Sequence, residues 1–212
     1  SSTYSLTPSI YRDPRLVANE DVMFKELMLR CPNDFASQDS TFQSLVKMQH
    51  YGLPTRLLDL TANPLIALYF ACDPHEPKAQ SGEVVAFKVP TREIKYFDSD
   101  TVSVIANVSR RPHDFELPAP DLNNEQFNAA APIRYLLHEI KQEKPYFEPK
   151  IERAHLASVV CVRPKLTNPR IIRQDGAFML FGVDVFKSLP AKVPENYVAS
   201  TGANRILIIG SE

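Results

Sequence analysis

MQHYGLPTRLLDLTANPLIALYFACD, residues 48–73, sets a dense polar cluster directly against an apolar run. His50, Tyr51, Gly52, Pro54, Thr55, Arg56, Asp59 and Thr61 come first, and LIALYFAC, apolar on nearly every face, follows. Asn63 then Pro64 is the preferred order of a helix cap and its first helical residue, so a helix is expected to open there. A helix that is hydrophobic all round calls for enclosure by other elements. The segment 52–62 therefore reads as a loop anchored at both ends by buried structure. Its polar side chains either tie that loop down or line a pocket.

Upstream, Ser40 as an N-cap and the spacing of Phe42, Leu45, Val46 and Met48 predict a helix over roughly 40–51, ended by Gly52 and Pro54. An earlier apolar face, Leu16, Met23, Phe24, Leu27 and Met28, starts near Pro14 and stops at Pro32 and Asn33. The opening SSTYSLTPSIYRDP reads as extended, with Tyr4, Leu6 and Ile10 alternating. Beyond a proline-rich bend at 74–77 the pattern turns to strands: GEVVAFKVP, TVSVIANV (101–108), ASVVCVRP (157–164), PRIIRQDGAFMLFG (169–182) and RILIIGS (205–211). A polar, proline-broken excursion at 111–131 and one helix at about 132–144, with Ile133, Leu136, Leu137 and Ile140 on its stripe, interrupt them. Helices first and strands later predict an α+β domain, with N-terminal helices packed on a mixed, largely antiparallel sheet.

At 212 residues, 44% of them hydrophobic, the chain fits a single domain, 1–212, whose core needs no metal or disulfide. A net charge of −1 leaves no overall field to gather nucleic acid or anionic lipid. Cys31, Cys72 and Cys161 are odd in number and far apart, and read as reduced, buried thiols of a cytoplasmic protein. Cys72 followed by His75 lacks a second ligand pair, so no metal site is expected. No apolar run is long enough to span a membrane. P-loop, GxGxxG, GxSxG and HExxH patterns are all absent. The run RPKLTNPRIIR (163–173) is basic but has no interleaved aromatics, which makes RNA contact the lesser reading there.

Two polar clusters carry the chemistry, and each has two readings. In HYGLPTRLLDLT, Arg56 and Asp59 pair and Asp59 or Thr61 helps cap the next helix, or else His50, Tyr51, Thr55 and Arg56 face an anionic ligand near a helix N-terminus. In RIIRQDGAFMLFG, Gly176 takes a positive φ in a turn between strands, or else Gln174 stands at a sheet edge facing a cleft and Gly176 lets a ligand approach the backbone.

The run QHYGLPTRLLDLTANPLIALYFAC resembles the signature of the FRG domain, usually seen as QHYGLPTRLLDWTxNPxxALYFA. SSTYSLTPSIYR is similar to that family's N-terminal stretch, and RIIRQDGAFMLFG to its later Arg, Gln, Gly and Phe block. Three departures stand out. The aromatic, Arg, Gly triplet of the family would precede Ser1, position 60 is Leu where Trp is common, and an acidic FPxL-like segment would follow Glu212. Further segments are therefore expected beyond both ends.

The resemblance implies a bacterial toxin or phage-defence effector of ADP-ribosyltransferase-like architecture. Such a domain would cleave NAD, taken as substrate without a metal, and transfer ADP-ribose to a macromolecular acceptor, protein or nucleic acid. Its catalytic positions would be His50, Gln174 and Asp59, with Asp175 as another carboxylate. Tyr51, Thr55, Arg56, Thr61, Gly176 and Phe178 would contact the dinucleotide. An antitoxin or regulatory protein is the implied partner. The alternatives are a non-catalytic module that binds a nucleotide or a phage component, and an RNA-directed binder using Arg170 and Arg173. The first reading requires the two clusters, more than a hundred positions apart, to converge on one hollow.

Overall fold

The computed structural model describes residues 6–35, 39–72, 82–166, 169–199 and 206–208. Tyr4, the bend at 74–77 and His75 lie outside the described residues. After a single 3-10 turn at Ser9–Tyr11, where the sequence suggested extended chain, come α1 (Pro14–Ala18) and α2 (Glu20–Arg30). Asp13 caps α1 by accepting from the Arg15 backbone N–H. Helix α3 (Thr41–His50) opens on a full capping box: the Ser40 hydroxyl accepts from the Gln43 N–H, and the Gln43 side chain accepts from the Ser40 N–H.

Gly52 ends α3 at φ 82°, a conformation open to glycine at little cost. Its N–H bonds to the Gln49 carbonyl and the Leu53 N–H to that of Met48, the paired bonds of a Schellman motif. The expected loop at 52–62 is then only half loop, because β1 occupies Leu57–Thr61. Its five residues alternate in the pleat and take their hydrogen bonds from a distant strand, which the polar content of the segment had hidden.

Helix α4 (Pro64–Ala71) starts as expected, with the Asn63 side chain accepting from the Leu65 N–H. The expectation of enclosure fails. None of its residues is buried, and Leu65 and Tyr69 are 72% and 74% exposed. Among the described residues the helix meets β1 and, further on, β2 (Gly82–Val84). Apolar composition states that burial would be favourable; it does not supply the covering element.

After β3 (Lys95–Tyr96) comes the converse correction. TVSVIANV is helical, forming α5 (Asp100–Ala106) and a 3-10 turn at Asn107–Arg110. β-branched residues favour strands on propensity, yet tertiary packing overrides this. Val102, Ile105 and Ala106 enter one core, and Val104 and, in the following turn, Val108 enter another, so α5 is enclosed on two sides.

The excursion at 111–131 contains a short helix, α6 (Asn124–Ala129), before α7 (Ala131–Glu143) appears where expected. Then follow α8 (Arg153–Leu156), β4 (Val159–Arg163), α9 (Pro169–Arg173), β5 (Gly176–Phe181) and β6 (Ile206–Ile208). The first part of the anticipated strand at 169–182 is thus helix α9, with Pro169 at its start. The positive φ of the turn that follows belongs to Asp175 (46°) and not to Gly176.

The main sheet has the order β1-β5-β4-β3, with β1/β5 and β5/β4 antiparallel and β4/β3 parallel; β2 and β6 form a separate antiparallel pair. The α+β class and the mixed, largely antiparallel sheet are as expected. One face, with Leu57, Phe178, Leu180, Val160 and Val162, packs on α2, α3 and α5. The other, with Val159, Met179 and Phe181, is covered by Ala191 and Tyr197. Ile133, Leu136 and Ile140 of α7 build a further core against Val104, Phe127 and Leu156.

Candidate functional site

At the C-terminal end of α3, Gln49 points at the sheet. Its amide nitrogen donates to Asp59 Oδ2 at 2.7 Å and its oxygen accepts from the Thr55 hydroxyl, which in turn accepts from the Leu57 N–H at 3.2 Å. One side chain therefore locks the entry to β1. His50 and Tyr51 follow on the exposed end of the helix, their rings 5.8 Å apart. Loss of water around the phenol, and then the carboxylate of Asp34 to which it is hydrogen-bonded, raise the Tyr51 pKa.

The two clusters do meet. In the β1/β5 register Asp59 lies opposite Phe178 and Thr61 opposite Gly176. The Thr61 hydroxyl donates to the Gln174 carbonyl at 2.5 Å across 113 positions, and the Ala62 N–H donates to the Asp175 carbonyl at 3.0 Å. The same Thr61 oxygen accepts from the Asn63 N–H, so one threonine joins the α9–β5 turn to the cap of α4. Asp59 and Thr61, two residues apart on one strand face, form a rim with the half-buried Gln174 next to Gln49 at the end of α3, while the exposed Tyr51 is hydrogen-bonded to Asp34.

Other expected contacts are built into the fold. Thr55 is 1% exposed, and Phe178 packs edge-on against Phe42 at 6.2 Å in the core. A Cβ on Gly176 would meet Ile171 at ordinary contact distance, so the space beside it is already filled.

Arg56 is fully buried, and its partner is not Asp59. Its Nε donates to Glu20 Oε1 at 2.9 Å and its Nη2 to Glu20 Oε2, while Nη1 reaches the Phe181 carbonyl at 3.1 Å and the Tyr11 hydroxyl at 3.5 Å. Lys187, equally buried, places Nζ 3.1 Å from Glu20 Oε2 and donates to the carbonyls of Ser109 and Arg111. Burial alone would raise the Glu20 pKa, but Arg56 and then Lys187 overcome it and hold the carboxyl below its ordinary value. Burial also works against the charge on Arg56, yet the Glu20 carboxylate outweighs it and raises the pKa. For Lys187 burial prevails and the pKa falls. Glu20 and Lys187 escaped the sequence reading because no spacing rule links them to Arg56; only the finished fold does.

Among the described residues there is no group of three or more His, Cys, Asp or Glu side chains able to hold a metal ion, and no helix is long and apolar enough to cross a membrane. Of the free cysteines only Cys161 is buried; Cys31 is intermediate and Cys72 exposed, against the expectation of buried thiols. A cleft of about 550 Å³ lies elsewhere, beside Lys144, Phe147 and His155.

The family model of the FRG domain matches residues 1–80, bearing out that resemblance over its first two segments. The matched stretch ends well before Gln174. No curated protein and no solved structure matches the chain.

Proposed function

We propose that the chain is the effector domain of a bacterial toxin or defence system, acting on NAD at the rim formed by the end of α3, β1 and the α9–β5 turn. The observation that supports this reading is the Thr61–Gln174 bond, which joins the two segments of the resemblance at one sheet edge. The residue chemistry of the rim suits part of such a ligand. His50 and Tyr51 offer exposed rings to a planar base, and Asp59 offers a carboxylate oriented by Gln49. Arg173, exposed one position before Gln174, is the cation of that turn. Arg56 takes no part in binding; it is a scaffold residue that holds β1 against α2.

When the N-glycosidic bond breaks, nicotinamide leaves with the electron pair and positive charge develops at the ribose. A carboxylate fixed nearby stabilises that charge, and the acceptor then bonds to the ribose carbon that nicotinamide left and releases its proton to water. Asp59 is assigned this role, and Gln174 an orienting one. In the test, the chain is incubated with NAD, nicotinamide release is followed by chromatography and binding by calorimetry. Release that disappears in Asp59→Asn is expected. Absence of both binding and release overturns the proposal.

A second reading is a binding module without turnover, attached to a regulatory partner. It is favoured by the sealed position of Arg56 and the exposure of Asp59, which leave the rim open to water. It predicts NAD binding with no nicotinamide released.

A further inference from the structure

The 3-10 turn at Asn107–Arg110 and the residue after it bring two consecutive guanidinium groups onto α7. Arg110 Nη2 lies 3.0 Å from Glu139 Oε2 and 2.6 Å from Gln142 Oε1. Arg111 Nη1 lies 3.6 Å from the other Glu139 oxygen, and its guanidinium sits over the Tyr135 ring at 5.4 Å. Two fixed cations thus share one carboxylate, for a local charge of about +1. Arg111 Nε has no hydrogen-bond partner among the described residues, but it is buried, so the ligand-facing donors of the pair are the outer guanidinium nitrogens. The Tyr135 ring beside it is 60% exposed.

Structural roles account for only part of this arrangement. The Lys187 ammonium already secures the segment from below, through the carbonyls of Ser109 and Arg111, and the Arg111 N–H bonds to the Val108 carbonyl. Glu139 and Gln142 hold the two guanidinium groups in place before any ligand arrives. A guanidinium fork matches phosphate oxygens in geometry, and the exposed part of the Tyr135 ring, away from the face that Arg111 covers, suits a base. A local charge near +1 balances a singly charged phosphodiester, whereas a doubly charged monoester leaves an excess against Glu139.

We propose that Arg110, Arg111 and Tyr135 form a binding site for a nucleoside phosphodiester, the phosphate accepting from the two arginines and a base lying on the tyrosine ring. The site is separate from the rim that carries Asp59 and does not depend on NAD turnover. The ligand chemistry is shared by a cyclic nucleotide and by one step of a single strand. Titration of the chain by calorimetry with 3′,5′-cyclic AMP and with the dinucleoside monophosphate ApA distinguishes these sources.

Binding of at least one of the two is expected, weakened by added salt and exceeding that of adenosine or AMP. Arg110→Gln should weaken it roughly tenfold or more, since hydrogen bonds to charged groups are lost. Tyr135→Ala, at an exposed position tolerant of change, should weaken it about tenfold through lost stacking. Asp59→Asn should leave it unaltered. The proposal is overturned if neither diester binds, or if binding is the same in folded Tyr135→Ala protein as in the unsubstituted chain.

Discussion

Arg56 and Glu20 grip one another through two nitrogen–oxygen contacts in a site sealed from water, joining the start of β1 to the first turn of α2 across 36 positions. The remaining guanidinium donors reach the Phe181 carbonyl at the end of β5 and the Tyr11 hydroxyl. An arginine placed among loop residues in the sequence is in this way the junction of four segments. Lys187 makes the group a triad with one net positive charge.

Replacing Arg56 is therefore expected to act on folding first. Arg56→Ala leaves Glu20 with Lys187 as its remaining cation and removes a donor from the Phe181 carbonyl, and should cost about 3–5 kcal/mol. Urea unfolding measures it. A variant that keeps its full stability while losing ligand affinity would return Arg56 to the binding site.

The triad also sets an acid limit. The folded Glu20 pKa lies below the unfolded one, so its contribution is fully present above the ordinary glutamate range. It is lost as pH falls from about 4.3 through the lower folded value. For Lys187, whose folded pKa is depressed, stability rises as pH increases from the folded value towards the unfolded one. Urea midpoints recorded at falling pH should decline continuously below the ordinary carboxylate range. A flat acid limb would contradict the pairing.

Gly182→Ala should be among the most damaging small changes. A Cβ there would sit 1.9 Å from the Leu156 carbonyl oxygen and 2.8 Å from that of Ser158, both backbone atoms. The Gly182 N–H itself bonds to Ser158 at 2.9 Å, so neither strand end can move away freely. A loss above about 3 kcal/mol is expected, read as a large drop in melting temperature or in soluble yield.

Gln49 and Asp59 separate scaffold from rim. Gln49→Ala removes hydrogen bonds to both Thr55 and Asp59, with an expected loss of about 1–2 kcal/mol. Asp59→Asn, at an exposed position, should stay within about 0.5 kcal/mol of the unsubstituted chain while abolishing nicotinamide release. Paired melting curves and NAD assays on the two variants check both statements. If Asp59→Asn instead unfolds the protein, Asp59 is part of the scaffold.

The capped helices were legible because their determinants are local. Ser40 with Gln43, Asn63 with Pro64, and Gly52 after α3 satisfy backbone groups within a few residues, and the stripe of α7 repeats at helical spacing. β4 and the second half of β5 were legible as apolar runs. The segment 101–108 was not, because a helix buried on two sides shows an apolar pattern that alternation also fits.

By itself, then, the sequence determined the caps, the stops, the α+β class and the two polar clusters that the FRG resemblance singles out. Tertiary structure alone decided that Arg56 faces Glu20 and not Asp59, that α5 is enclosed while α4 lies open, and that Thr61 reaches Gln174. Caps and turns rest on atoms a few residues apart. Burial and charge pairing depend on which distant segment fills the neighbouring space, and no local pattern encodes that.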